Sequence, residues 1–220
     1  WIHYYAMLTA PVICVPYDSK IKTIDDLVTE FKARPGEVKV ASAGVGAGGH
    51  LAAETFRKAT GIEYRHIPYK GGYPAVVSTV KGETEVVMQL SMEVADMLRA
   101  KKLRALANMS TQALVIDGYG EVPPVMQFIP NHAPLQYLFG LYIAKDTPPE
   151  AVEAINKAFD AAAASDAMKR LAKEKASANV NYKGAEALKL SETTGNNVNC
   201  ILKEIGIAKK DPAAFGFICK

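Results

Sequence analysis

The sequence predicts an α/β protein: a mostly parallel sheet covered by helices on both faces, then a mainly helical last third. Between about residues 17 and 110, short apolar runs alternate with segments of helical periodicity, and the connections between them are short. Such connections imply right-handed crossovers. A composition shift near Ala144 marks a domain boundary. The chain's 220 residues suffice for one large or two small domains, and 49% hydrophobic against 22% charged residues excludes a chain too polar to collapse.

Each element has a local reason. Pro11–Pro16 is an apolar run bounded by prolines, as in a short buried strand. Thr23-Ile24-Asp25-Asp26 resembles a capping box, after which Ile24, Leu27, Val28 and Phe31 recur at helical spacing until Pro35-Gly36. Val38–Ser42 reads as a strand, and a helix runs from near Gly49 to Gly61. Glu63–Tyr69 is a strand, Pro74–Lys81 a short helix, Thr84–Leu90 a strand, Met92–Ala100 a helix and Leu103–Met109 a strand. Residues 110–136 carry Pro123, Pro124, Pro130 and Pro134 and form a long irregular segment. Tyr137–Ala144 returns as an apolar strand. Thr147-Pro148-Pro149-Glu150 has capping-box form before a helix bearing Val152, Ile155, Phe159 and Ala162, and further helices follow near 166–176 and 184–205.

Charge and cysteine content exclude several classes. The net charge is +3, from 26 basic and 23 acidic residues, with only short pairs such as Lys101-Lys102 and Lys209-Lys210. No basic stripe suited to nucleic acid is present. No apolar run approaches the roughly 18 residues of a membrane span. The opening Trp1-Ile2-His3-Tyr4-Tyr5 has no basic n-region or initiator Met, as expected of a mature, processed or truncated chain. Cys14, Cys200 and Cys219 have no metal-ligand spacing. They are three buried thiols, or, in an oxidising compartment, a Cys200–Cys219 pair with Cys14 single.

Two glycine-rich strand-to-helix turns carry the functional signal. The first is Ser42-Ala43-Gly44-Val45-Gly46-Ala47-Gly48-Gly49-His50; the second is Tyr69-Lys70-Gly71-Gly72-Tyr73-Pro74. Turns of this type expose backbone N–H groups at positive helix ends and suit an anion, carboxylate as well as phosphate. In a parallel sheet both lie at carboxyl ends of strands, where open α/β sheets bind ligands. Lys70 is either an added charge or a solvated surface group, and Tyr69 and Tyr73 either line a pocket or pack. A competing reading takes Gly44, Gly46 and Gly49 as a G-x-G-x-x-G dinucleotide fingerprint, with Glu63 following, in an NAD-dependent oxidoreductase. Against it, Glu63 opens its strand, whereas ribose recognition needs an acid at the carboxyl end. No nucleophile elbow surrounds Ser42, and His3, His50, His66 and His132 lack the HxxxH or HExxH spacing of a zinc site. The reading is therefore a binding site without catalysis, metal or cofactor.

In order, the Ser42–His50 turn, the segment His66-Ile67-Pro68-Tyr69-Lys70-Gly71-Gly72-Tyr73-Pro74-Ala75 and the segment Lys101-Lys102-Leu103-Arg104-Ala105-Leu106-Ala107 closely resemble the solute-binding proteins of tripartite tricarboxylate transporters, the Bug-type receptors. The resemblance implies a periplasmic-binding-protein-like flytrap of two α/β domains closing over a small organic carboxylate, a periplasmic location and membrane transporter subunits as partners. It implies ligand contacts from Ser42, Ala43, Gly44, Val45, Gly46, Ala47 and His50, and from Tyr69, Gly71, Gly72 and Tyr73. It assigns residues 17–142 to domain two and residues 1–16 with 143–220 to the rest of domain one, whose N-terminal part is missing. Ala47-Gly48 stands where the family often has Gly-Ser, and Val122-Pro123-Pro124 departs from its usual pattern. On this reading Val12, Ile13, Val15, Val152, Ile155 and Phe159 are left uncovered, and hinges lie near Pro16-Tyr17 and Leu141-Tyr142.

Overall fold

The computed structural model describes residues 1–219. In chain order the elements are β1 (Ile2–Thr9), β2 (Pro11–Pro16), α1 (Ile24–Ala33), β3 (Lys39–Ser42), α2 (Gly48–Thr60), β4 (Arg65–Pro68), α3 (Gly72–Val80), β5 (Val86–Leu90), α4 (Ser91–Arg99) and β6 (Leu103–Asn108). The remainder is the hairpin β7 (Leu114–Ile116) and β8 (Gly120–Val122), then β9 (Tyr137–Ile143), α5 (Pro149–Ala164), α6 (Asp166–Glu174), β10 (Ala178–Lys183) and α7 (Gly184–Glu204).

A five-stranded sheet of order β4-β3-β5-β2-β6 forms the larger body. β3 pairs in parallel with β4 and β5, but β2 runs antiparallel to both β5 and β6. The expected parallel sheet thus carries one reversed strand. β2 enters from β1 rather than from a crossover helix, so the crossover rule does not fix its direction. Its side chains alternate between two cores: Ile13 and Val15 join the cluster holding Phe31, Leu51 and Phe56, while Val12 and Cys14 join that of Val76, Val94 and Leu98. A strand buried on both faces reads as the continuous apolar run seen at residues 11–16. Strand pairing puts β2 in this sheet and not with β1, which moves the chain's passage between sheets to Ala10. Val12, Ile13 and Val15, expected to be uncovered, are fully buried, and Phe159 is buried too.

β1 is the centre of a second, three-stranded antiparallel sheet, β10-β1-β9. Neither β1 nor β10 is marked in the sequence. A register shift between Tyr5 and Met7 interrupts the alternation of β1, and β10 is a mostly polar edge. β9 is the opposite edge and carries the exposed apolar side chains Phe139, Leu141 and Tyr142. Leu141 and Tyr142 pair with Tyr4 and His3 inside this sheet, so the expected hinge there is a strand interior. α7 spans both bodies: it packs on β1 and β10, and its Val198, Ile201 and Leu202, with Ile205 just past its end, cover the core beneath α2.

Capping follows the sequence at α1, where Thr23 Oγ1 accepts from the Asp26 N–H and Asp26 Oδ2 accepts from the Thr23 N–H, each at 3.0 Å. At α5 the expected box does not form. Thr147 Oγ1 instead donates back to the Ala144 carbonyl, and Pro148 occupies the cap. After α7 the chain folds back, held by the Cys200–Cys219 disulfide and by Asn196, whose amide exchanges two hydrogen bonds with the Ile218 backbone. Cys14 is free and buried.

Two substitutions test these constraints. A Cβ at Gly140 would overlap the Tyr4 carbonyl, so Gly140→Ala should cost about 3 kcal/mol, the upper range for overpacking, read as a lower urea midpoint. Cys219→Ser opens a loop of sequence separation 19 and should cost about 3 kcal/mol by loop entropy, measurable in the same experiment.

Candidate anion-binding site

Both glycine-rich turns lie side by side at the carboxyl ends of the paired strands β3 and β4. The Tyr69 N–H donates to the Ser42 carbonyl at 2.9 Å and the Gly71 N–H to the Ala43 carbonyl at 3.0 Å, stitching one turn to the other. Gly44, Gly46 and Gly71 hold positive φ, which explains glycine at those positions. The first turn runs into α2 through Ala47, which caps with no side-chain hydrogen bond; the second runs into α3 through Gly71.

This geometry divides the expected donors into two groups. Internal acceptors engage the amides of Ala43 (Gln89 Oε1, 3.3 Å), Gly44 (Ser42 Oγ, 3.3 Å), Gly46 (His50 Nδ1, 3.0 Å), Ala47 (Gly44 carbonyl, 3.2 Å) and Gly71. The amides of Val45, Gly48, Gly49 and His50, and of Gly72 and Tyr73, find no acceptor among the described residues. Those after Ala47 and Gly71 belong to first helical turns, which have no intrahelical acceptor and sit at the positive helix end. Val45 and Tyr73 are the most exposed, at 61% and 70%. Gly44, Gly46 and Gly71, expected as ligand contacts, thus have amides that are already engaged, and the amides without an acceptor lie at the turn tips and helix starts.

The side chains brace the turns. Ser42 is fully buried and its Oγ lies 2.7 Å from His66 Nε2. His50 is also buried; its Nδ1 accepts from Gly46, which leaves the ring proton on Nε2, 3.8 Å from Glu54. The two imidazoles stack at 4.1 Å with planes 7° apart. Burial lowers the His50 pKa, and burial together with the neighbouring His50 lowers that of His66 to about 4, so a neutral pair stacks there without repulsion. The His50 imidazole thus braces the first turn, while its backbone N–H stays among the amides without an internal acceptor. Tyr69 packs partly buried against the core beside Ala75 and Val76. Lys70 is exposed. Tyr137, from β9, reaches the site that sequence reasoning left it out of: its hydroxyl donates to the Gly48 carbonyl at 3.4 Å.

The dinucleotide reading meets one obstacle. Glu63 precedes β4, at the end of the sheet opposite the turns, and pairs with Arg57 at 3.6 Å. Gly49 is glycine because a Cβ there would overlap the Met88 carbonyl and the Gln89 side chain, a close helix–strand approach that the third glycine of a dinucleotide fingerprint serves as well. A separate cavity of about 840 Å³ opens between α2 and α7, away from the turns.

A family model described as "Tripartite tricarboxylate transporter family receptor" matches residues 3–207. Protein BugT of Bordetella pertussis is 33% identical over 156 residues, which cover 68% of this chain and 45% of that protein. The chain spans about half the length of the curated relatives it matches. Among solved structures, the periplasmic binding protein BugD superposes with a TM-score of 0.78 at 20% identity, over 94% of this chain and 69% of that one. An R. palustris protein with adipate superposes with a TM-score of 0.77 at 21% identity, over 93% and 68%. These likenesses give the fold: that of the periplasmic binding proteins.

The lowered histidine pKa values set a pH dependence. A histidine whose folded pKa lies below its unfolded value contributes stability that is complete above about pH 6.5 and is lost as pH falls toward the folded value. Thermal midpoints should therefore fall between pH 6.5 and about 4, the window set by His66 and by buried His132, also lowered to about 4 by burial. His66→Gln should flatten part of that slope and leave the His132 part.

Proposed function

The chain belongs to the tripartite tricarboxylate transporter receptor family, and from that premise we propose that it captures a small carboxylate-bearing organic anion for a membrane transporter of that type. The observation that carries the reading is the convergence of two helix starts, α2 and α3, on adjacent strand ends, with unpaired amides at Val45, Gly48, Gly72 and Tyr73 facing no competing acceptor. A carboxylate offers two oxygens and accepts several N–H donors at once. The adipate of the R. palustris neighbour supports the same ligand class here. Family and fold are those of solute-binding receptors, which supports capture without chemical conversion.

Two further features fit this role. The described helices include none long and apolar enough to cross a membrane. The Cys200–Cys219 disulfide favours an oxidising compartment, and the periplasm is one. We assign residues 1–9 and 137–219 to one lobe and 11–136 to the other, following the strand pairing, with passages at Ala10 and Gln136 as the places where closure would pivot.

Calorimetry against adipate, malate, an aromatic carboxylate and NADH tests the reading. Carboxylate binding with no response to NADH is expected, and the reverse would replace it with the dinucleotide reading. Gly71→Val should abolish carboxylate binding by forcing a β-branched residue to positive φ and breaking the stitch to Ala43. Lys70→Ala should change affinity by about twofold or less, because its charge is solvated.

A further inference from the structure

We propose that Gln89, anchored by Glu93, is the positioning residue that sets the spacing between the two glycine-rich turns. The inference rests on the carboxylate-capture reading and deepens it. Gln89 is the penultimate residue of β5, the strand beside β3, and its side chain is only 2% exposed. Its Oε1 accepts from the Ala43 N–H in the first turn, and its Nε2 donates to Glu93 Oε2 in the first turn of α4.

The glycines around it show how tightly this amide is enclosed. A Cβ at Gly49 would overlap Gln89 Oε1. A Cβ at Gly72 would come within 2.8 Å of Gln89 Nε2 and would overlap the Glu93 carboxylate. The Gln89 amide thus lies close to the starts of both α2 and α3, where glycine also makes room for the Met88 carbonyl and the Glu93 carboxylate. The partners fix the amide's orientation, since Ala43 requires an acceptor and a carboxylate requires a donor. Glu93 lies in the first turn of α4, and a carboxylate acceptor makes the anchoring hydrogen bond charge-assisted. An apolar side chain of similar size would fill the space but would leave the partly buried Ala43 N–H and the Glu93 carboxylate without these partners.

The test compares the unaltered chain with Gln89→Leu, Gln89→Glu, Glu93→Gln, and the exchange of both residues. The exchange reverses the two roles: the new amide at 93 donates to the new carboxylate at 89, which still accepts from Ala43. Two measurements are made: hydrogen exchange in residues 42–50 and 70–76, and calorimetry with adipate and malate. Gln89→Leu and Gln89→Glu should each speed exchange in both segments about tenfold or more and weaken carboxylate binding about tenfold. The double exchange should restore both measurements to within about threefold. Unchanged exchange rates in Gln89→Leu, or a double variant no better than its singles, would overturn the proposal. Should the unaltered chain bind neither carboxylate, the capture reading fails by itself, and the exchange rates still decide whether Gln89 spaces the turns.

Discussion

The antiparallel insertion of β2 between β5 and β6 holds the rest of the molecule in register. β2 is buried on both faces and gives two side chains to each core, so each of the two helical layers packs against it. It is also continuous with β1, the middle strand of the other sheet. Where the chain passes between sheets, Ser91 ties them again: its N–H donates to the Ala10 carbonyl, its hydroxyl to the Ala176 carbonyl, and Thr9 Oγ1 lies 2.7 Å away. Ser91 begins α4 directly after β5. The end of β5 that carries Gln89 is thereby fixed to both sheets at once.

The sequence made the elements of the larger body readable because their burial is one-sided or complete. α1 shows its apolar face at Ile24, Leu27 and Phe31, and β2 shows an unbroken apolar run. The elements that escaped have weaker physical signals. β10 needs only one paired edge and is polar, and the irregularity in β1 destroys period-two alternation. The direction of β2 was equally hidden, because reversal of a strand buried on both faces leaves its hydrophobic pattern unchanged.

The candidate site was readable as two turns but not as a set of donors. Glycine in a sequence does not say whether it serves a positive φ, a close approach or a ligand. Gly44, Gly46 and Gly71 serve backbone conformation, while Gly49 and Gly72 make room for Met88, Gln89 and Glu93. Hydrogen bonds between residues far apart in sequence then decide which amides remain unpaired, as when Gln89 engages Ala43. No local pattern encodes that. The one sequence feature that pointed to it was the density of glycines, which exceeded what a turn requires.

The same arrangement determines where the positive field of the site originates. His50 and His66 stack neutral, and burial keeps them so through the neutral range. Lys70 is exposed at the rim. The remaining source is the backbone itself, through the first turns of α2 and α3, each equivalent to roughly half an elementary charge. Such a field does not titrate and costs no reorganisation when an anion arrives. It also recognises little beyond the carboxylate, since N–H groups contact only the oxygens. On the proposed capture reading, discrimination among carboxylates would fall to the side chains around the turns, such as the exposed Val45 and Tyr73. A receptor of the proposed kind would separate two tasks: glycine turns, spaced by the Gln89 amide, would hold the charge, and side chains at their tips would choose the solute.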